Sequence, residues 1–148
     1  MIVRWLAVAV AVLALGTSSC KKKHIVQGGD IEGSENIPRE YAVKELRALL
    51  PTAETITCMA PKDTWKPSEI KEWVIEGDSV ELRFAKGNPV KFGFGELTKT
   101  DTFQAGKIYF VRLFTEAMKG KEHYAFGWKE VKTAKDVHEL FEAVRRKQ

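Results

Sequence analysis

Apolar positions along the chain fall into two patterns, and the sharpest examples lie in the last third. From Lys107 to Thr115 the residues Ile108, Tyr109, Phe110, Val111, Leu113 and Phe114 make a dense β-branched and aromatic run that predicts a strand. After a polar turn, Glu122–Lys129 sets Tyr124, Phe126 and Trp128 on one face by period-two spacing and predicts another. Thr133 then opens a helix in which Val137, Leu140, Phe141 and Val144 recur at i, i+3, i+4 and i+7. Thr133 with Asp136 three residues on resembles a capping box. Arg145, Arg146 and Lys147 fall where the helix macrodipole favours positive charge.

Earlier in the chain the same two periods recur. Pro38 suits a first helical turn, Ala42, Leu46, Leu49 and Leu50 form a short apolar stripe, and Pro51 ends it. Thr55–Met59 is a short strand candidate containing Cys58, followed by a loop, Ala60–Pro67. Trp73 and Ile75 alternate before the two-residue turn Gly77-Asp78, and Val80, Leu82 and Phe84 alternate after it. That turn sets Ile75 opposite Val80 and Trp73 opposite Leu82, so one face is apolar on both strands. Val90, Phe92 and Phe94 make a third strand, with Phe84 expected opposite Val90, Leu82 opposite Phe92 and Val80 opposite Phe94. Gly93 and Gly95 on its other face imply curvature. Glu96–Gly106, rich in Thr and charge, is expected to be a polar loop.

The start of the chain has a different composition. Arg4 stands in a short leading segment, an apolar run extends from Trp5 to Leu15, and Gly16-Thr17-Ser18-Ser19 ends at Cys20. That is the layout of a secretory signal. The run is about 11 to 14 residues, short of the roughly 17–25 that span a bilayer, so an uncleaved anchor is a lesser alternative. Ordinary signal cleavage is another, for which Thr17 and Ser19 are small enough, and it leaves a soluble exported protein. Small residues directly before a Cys resemble the lipobox of bacterial lipoproteins, although Thr17 stands where a larger apolar residue is usual. The resemblance implies cleavage before Cys20 and acylation of its thiol, and two or three acyl chains would hold the protein firmly. Lys21, Lys22 and Lys23 then become candidates for contact with anionic headgroups. His24–Arg39, with Gly, Asp, Glu, Ser and Asn and no apolar period, reads as a tether, and the roughly 17 residues from Lys21 to Ile37 have a typical span of roughly 20–25 Å. The expected organisation is a signal peptide over 1–19, a lipidated Cys and tether over 20–39, and one globular domain over 40–148. The implied location is the cell envelope, on the outer membrane facing the periplasm if the cell is Gram-negative.

Composition narrows the function classes. At 44% hydrophobic and 30% charged the chain is globular rather than disordered. A net charge of +4, with the basic residues dispersed, gives no basis for nucleic-acid binding. Cys20 and Cys58 are the two cysteines, so acylation of Cys20 leaves no intramolecular disulfide. His24, His123 and His138 are scattered, with no HExxH or CxxC spacing, and no metal or cofactor is expected. No GxSxG elbow or phosphate-binding Gly-rich loop is present, so the chain reads as a binding module and not an enzyme, with a hydrolase as the remoter alternative. Trp65, in the Pro- and Lys-flanked loop Pro61–Pro67, is the candidate partner surface, weighed against a role in closing one end of the barrel.

The expected fold is α+β and mostly β: a curved antiparallel sheet or split barrel of six to seven strands, capped by a C-terminal helix and preceded by a short helix. Over Trp73–Arg145 this order resembles the pleckstrin-homology-like superfold, especially its GRAM-type bacterial relatives. The resemblance rests on Val90–Phe94 leading into Glu96-Leu97-Thr98, then Ile108–Phe114, His123–Trp128 and the helix with Phe141. The Gly77-Asp78 turn lacks the Lys/Arg cluster that the family uses for phosphoinositide headgroups, so the fold is implied and that recognition is not. A plain α+β roll with both helices on one face of the sheet is the alternative. The expected partners are the membrane, through Cys20, and an envelope protein, a lipid or a glycan.

Overall fold

The computed structural model describes residues 27–28, 34–57, 64–118 and 123–146. The order of elements is β1 (Gln27–Gly28), α1 (Arg39–Leu49), β2 (Thr55–Thr57), β3 (Thr64–Trp65), β4 (Ile70–Glu76), β5 (Ser79–Phe84), β6 (Val90–Gly93), β7 (Leu97–Ala105), β8 (Ile108–Thr115), β9 (Tyr124–Trp128) and α2 (Val131–Arg146). The strands form two antiparallel sheets, one in the order β1-β7-β8-β9-β2-β3 and one in the order β4-β5-β6. The fold is thus α+β and mostly β, with seven strands of three residues or more among the described residues, a short first helix and a C-terminal helix.

The β4–β5 hairpin has the expected register, with Ile75 opposite Val80 and Trp73 opposite Leu82. The next pairing is two residues off the expected one: Leu82 faces Val90 and Val80 faces Phe92. A shift of two keeps every side chain on its own face, so the apolar pattern could not resolve it. It lets Phe84 pair with Ile70 and releases Phe94 into a 3-10 turn, Phe94–Glu96, where it is fully buried. The Glu96 carboxylate fixes that turn by accepting the Gly93 N–H at 2.5 Å.

The expected loop Glu96–Gly106 is instead a nine-residue strand, β7, paired along its length with β8. Its polar side chains have partners inside the fold: the Thr100 hydroxyl and the Asp101 carboxylate are both buried. Within the expected loop Ala60–Pro67, Trp65 pairs with Ile56 of β2 as part of β3. In the segment read as a tether, Gln27 and Gly28 pair with Thr102 and Asp101 at the edge of β7, and Ser34 is buried in a 3-10 turn against α2.

Aromatic contacts join the two sheets and the helix. Phe92 stacks on Tyr124 at 4.6 Å, Trp73 lies 6.1 Å from Phe126, and Phe141 of α2 lies 6.3 Å from Phe94 and 6.4 Å from Phe126. Phe141 therefore touches both layers, and Val137, Leu140 and Val144 beside it are buried as the 3.6-residue period predicts. The helix starts at Val131, two residues before the expected Thr133. The capping box does not form: the Thr133 hydroxyl lies 2.8 Å from Glu130, and Asp136 pairs with Lys132. α1 is fastened by two arginines, Arg39 donating to the carbonyls of Val144 and Gly77 and Arg47 to that of Ile75.

On β9 both faces are buried. A Cβ added at Gly127 would lie 2.6 Å from Ile108 and 2.7 Å from the Phe110 ring, so this glycine is set by close packing. Replacing Gly127 with Ala is expected to cost about 1–3 kcal/mol through displacement of Phe110, and Phe141→Ala about 3–5 kcal/mol. Urea unfolding monitored by tryptophan fluorescence measures both.

Candidate functional site

The sequence candidates are not brought together by the described structure. Cys20, Lys21, Lys22, Lys23, His24 and Cys58 lie outside the described residues. Trp65 is half-buried, with its ring 4.4 Å from that of Phe84 across the two sheets. Its indole N–H is shielded from solvent and has no acceptor among the described residues. His123 packs beside Phe114 at 6.0 Å, whereas His138 is buried on α2. Among the described residues no group of three or more His, Cys, Asp or Glu is placed to hold a metal ion.

The most concentrated polar chemistry lies where α2 crosses β7. Glu142 sits on the buried face of the helix, fully shielded, between Phe141 and Ala143. Its carboxylate accepts from the Arg145 guanidinium at 3.1 and 2.8 Å and from the Thr100 hydroxyl of β7. A hydroxyl has one proton, and here it goes to Glu142. The His138 Nε2 at 2.9 Å must then donate to Thr100, which fixes the Nε2–H tautomer of the neutral ring. Burial pushes the His138 imidazole below the usual histidine range, against the weaker upward pull of the Glu142 and Asp101 carboxylates. This network sets the position of the helix on the strand. The sequence signal for it was a glutamate inside the apolar stripe of a helix, four residues after a histidine.

The opposite face of the larger sheet carries a ladder of rings and cations. Asp101 is fully buried and takes Arg112 in a bidentate pair at 2.7 Å for each bond. The guanidinium lies 4.9 Å from the Phe103 ring centre and 5.4 Å from that of Phe114, and Lys99 lies 5.3 Å from Phe114. Phe103 stacks on Phe110 at 5.1 Å.

Among the surface concavities of the described residues, a shallow one of about 360 Å³ lies over Glu96, Thr98 and Glu116, and two others adjoin α2. One, of about 170 Å³, lies between the β7–β8 hairpin and the start of α2, and includes Phe103, Tyr109, Val131 and Lys135. The other, of about 330 Å³, is a groove between α1 and α2. Ile37, Leu49 and Leu140 give that groove an apolar floor, and Glu45 and Glu139 give it an acidic rim beside Asp136, whose charge is met by Lys132. Tyr41, 53% exposed, stands in its wall. Sequence reading took Leu49 into the Ala42-Leu46-Leu50 stripe and so missed this groove, where Leu49 continues the i, i+4 line of Tyr41 and Glu45 on α1. Compared with known proteins, the chain matches no family model, no curated protein and no solved structure.

Thr100→Val removes one donor from the buried carboxylate and the acceptor of His138, and is expected to cost about 1–3 kcal/mol. Because the fold holds His138 below its unfolded pKa of roughly 6.5, the unfolded chain binds the extra proton. This contribution is complete above about pH 6.5 and is lost as the pH falls through the folded-state value. His138→Gln, which keeps a donor toward Thr100, is expected to flatten that acid limb in urea titrations at stepped pH. An unchanged slope would remove His138 as its source.

Proposed function

We propose that the chain is an envelope lipoprotein, anchored through Cys20, whose domain is a non-catalytic binding module for a basic, apolar-bearing segment of another envelope protein. The observation that carries this reading is the groove between α1 and α2. An apolar floor supplies contact area, an acidic rim selects positive charge, and an exposed tyrosine offers a rigid amphipathic anchor of the kind that interfaces use. Charge complementarity therefore names the occupant: a segment with Lys or Arg flanking apolar side chains. The layout of residues 1–20 supports the anchor, with Lys21, Lys22 and Lys23 beside the headgroups.

The strand order supports a pleckstrin-homology-like relationship: β4–β5–β6, then β7–β8–β9 with β2 against β9, then a C-terminal helix. A second reading, as a lipid- or glycan-binding envelope protein, draws on the Phe103–Phe110 stack and the Arg112–Phe114 pair, which form an aromatic platform on one sheet face.

A photoreactive phenylalanine analogue in place of Tyr41 in the full-length protein tests the groove in cells. The expected result is a crosslink to one envelope protein through a basic segment, reduced at least tenfold by Glu45→Lys with Glu139→Lys. The same probe at Lys86, exposed between β5 and β6, is expected to capture none of that protein. A crosslink that ignores the charge reversal, or that forms equally from position 86, removes the groove as the binding site.

A further inference from the structure

The pairing of Gln27 and Gly28 with β7 changes what an anchor at Cys20 would do. With the chain free up to Arg39, nineteen residue steps would separate the anchor from the domain, a limit of roughly 65 Å. Fixed at Gln27, only seven steps remain, a limit of roughly 24 Å and a typical span of about 13–16 Å. About 5–8 Å of that is taken up by the headgroup layer. A domain of this size has a radius of gyration of about 13 Å. So short a lead does not let such a body turn freely above a bilayer.

The point where the lead enters the domain determines the face presented to the membrane. Gln27 pairs with Thr102, and Thr102 is itself a wall residue of the cavity at the β7–β8 hairpin and the start of α2. Tyr109 and Ala134 line the same cavity, as does Val131, which at 40% exposure is the second exposed large apolar side chain among the described residues, with Tyr41. The cations here are Lys135 in the cavity wall and Lys107 in the hairpin turn, both exposed. Lys132 and Lys129 are nearby in sequence, engaged with Asp136 and Glu54, and Glu130 is the local acid. Apolar side chains with flanking lysines match the boundary between anionic headgroups and acyl chains.

We propose that this end of the domain, centred on Val131 and the Thr102–Tyr109–Lys135 cavity, rests on the membrane that holds the anchor, with the β1–β7 pairing as the clamp that sets the orientation. The inference rests on acylation of Cys20, proposed above. It leaves the far end of α2 pointing away from the bilayer. That end carries the Arg39 contact to Gly77 and the Gly77-Asp78 turn. The helix rises about 22 Å between its two ends.

The test uses the full-length protein purified from membranes and reconstituted in phosphatidylethanolamine–phosphatidylglycerol vesicles. With Cys58 replaced by Ser, a fluorophore is placed at Val131→Cys or at Asp78→Cys and quenched by nitroxide-labelled lipids. Mass spectrometry of the N-terminus and vesicle flotation first establish whether the anchor exists; an unmodified Cys20 that does not float defeats the lipoprotein reading itself. On anchored protein, the label at position 131 is expected to be quenched at least threefold more than the label at position 78. Gln27→Pro with Gly28→Pro, which removes both backbone donors of β1, is expected to abolish that difference while flotation persists. Equal quenching at the two positions on floating protein overturns the orientation and leaves the cavity to a soluble ligand. A difference that survives the double proline change overturns the clamp.

Discussion

The C-terminal helix carries a carboxylate into the core, and the position of the helix on the sheet follows from how that charge is met. An unpaired buried carboxylate would cost several kcal/mol. Glu142 is held by Arg145 one turn along the same helix and by Thr100 on β7, and Thr100 in turn receives His138. Sliding α2 along β7 would break the Thr100–Glu142 and His138–Thr100 contacts together, while the Glu142–Arg145 pair, internal to the helix, would travel with it. The apolar contacts around Phe141 tolerate small shifts; the hydrogen bonds do not. The helix fixed in this way closes the joint between the two sheets and supports α1.

β7 is the common element. One face of the strand meets α2 through Thr100, and the other carries Asp101 into the Arg112 ladder. One edge pairs with β8 through eight of its nine residues, and the other takes Gln27 and Gly28. Core packing, the ring-and-cation face and the approach of the N-terminal segment therefore meet on a single strand. Two surfaces follow from this arrangement: the acidic groove between the helices and the apolar, lysine-flanked end of the hairpin. They involve different residues of α2, Val131, Ala134 and Lys135 at one and Asp136, Glu139 and Leu140 at the other.

Much of the fold was legible in the sequence, and the failures have physical causes. Wherever alternation served a single apolar face, as in Trp73–Ile75 against Val80–Leu82, the register was readable. It was ambiguous by two residues at Val90–Phe92, where a shift of two leaves each side chain on the same face. Leu97–Ala105 was missed because its inward side chains are threonines and its buried acid is neutralised by an arginine eleven residues away. Apolar periodicity does not report polar partners. The helix groove was hidden for a related reason: Ile37, Tyr41 and Glu45 share no hydrophobic period, and they become a wall only when Leu140 and Glu139 are placed opposite them.

Amide hydrogen exchange along Leu97–Ala105, read together with α2 in the full-length protein, tests most directly whether β7 and the helix are one cooperative unit. If they are, the β7 amides that face β8 exchange in the slowest class, with the same opening free energy as the core of α2, and Thr100→Val accelerates both segments by the same factor. Exchange of Leu97–Ala105 at open-chain rates while α2 stays protected would contradict the strand, the buried network and the clamp built on it.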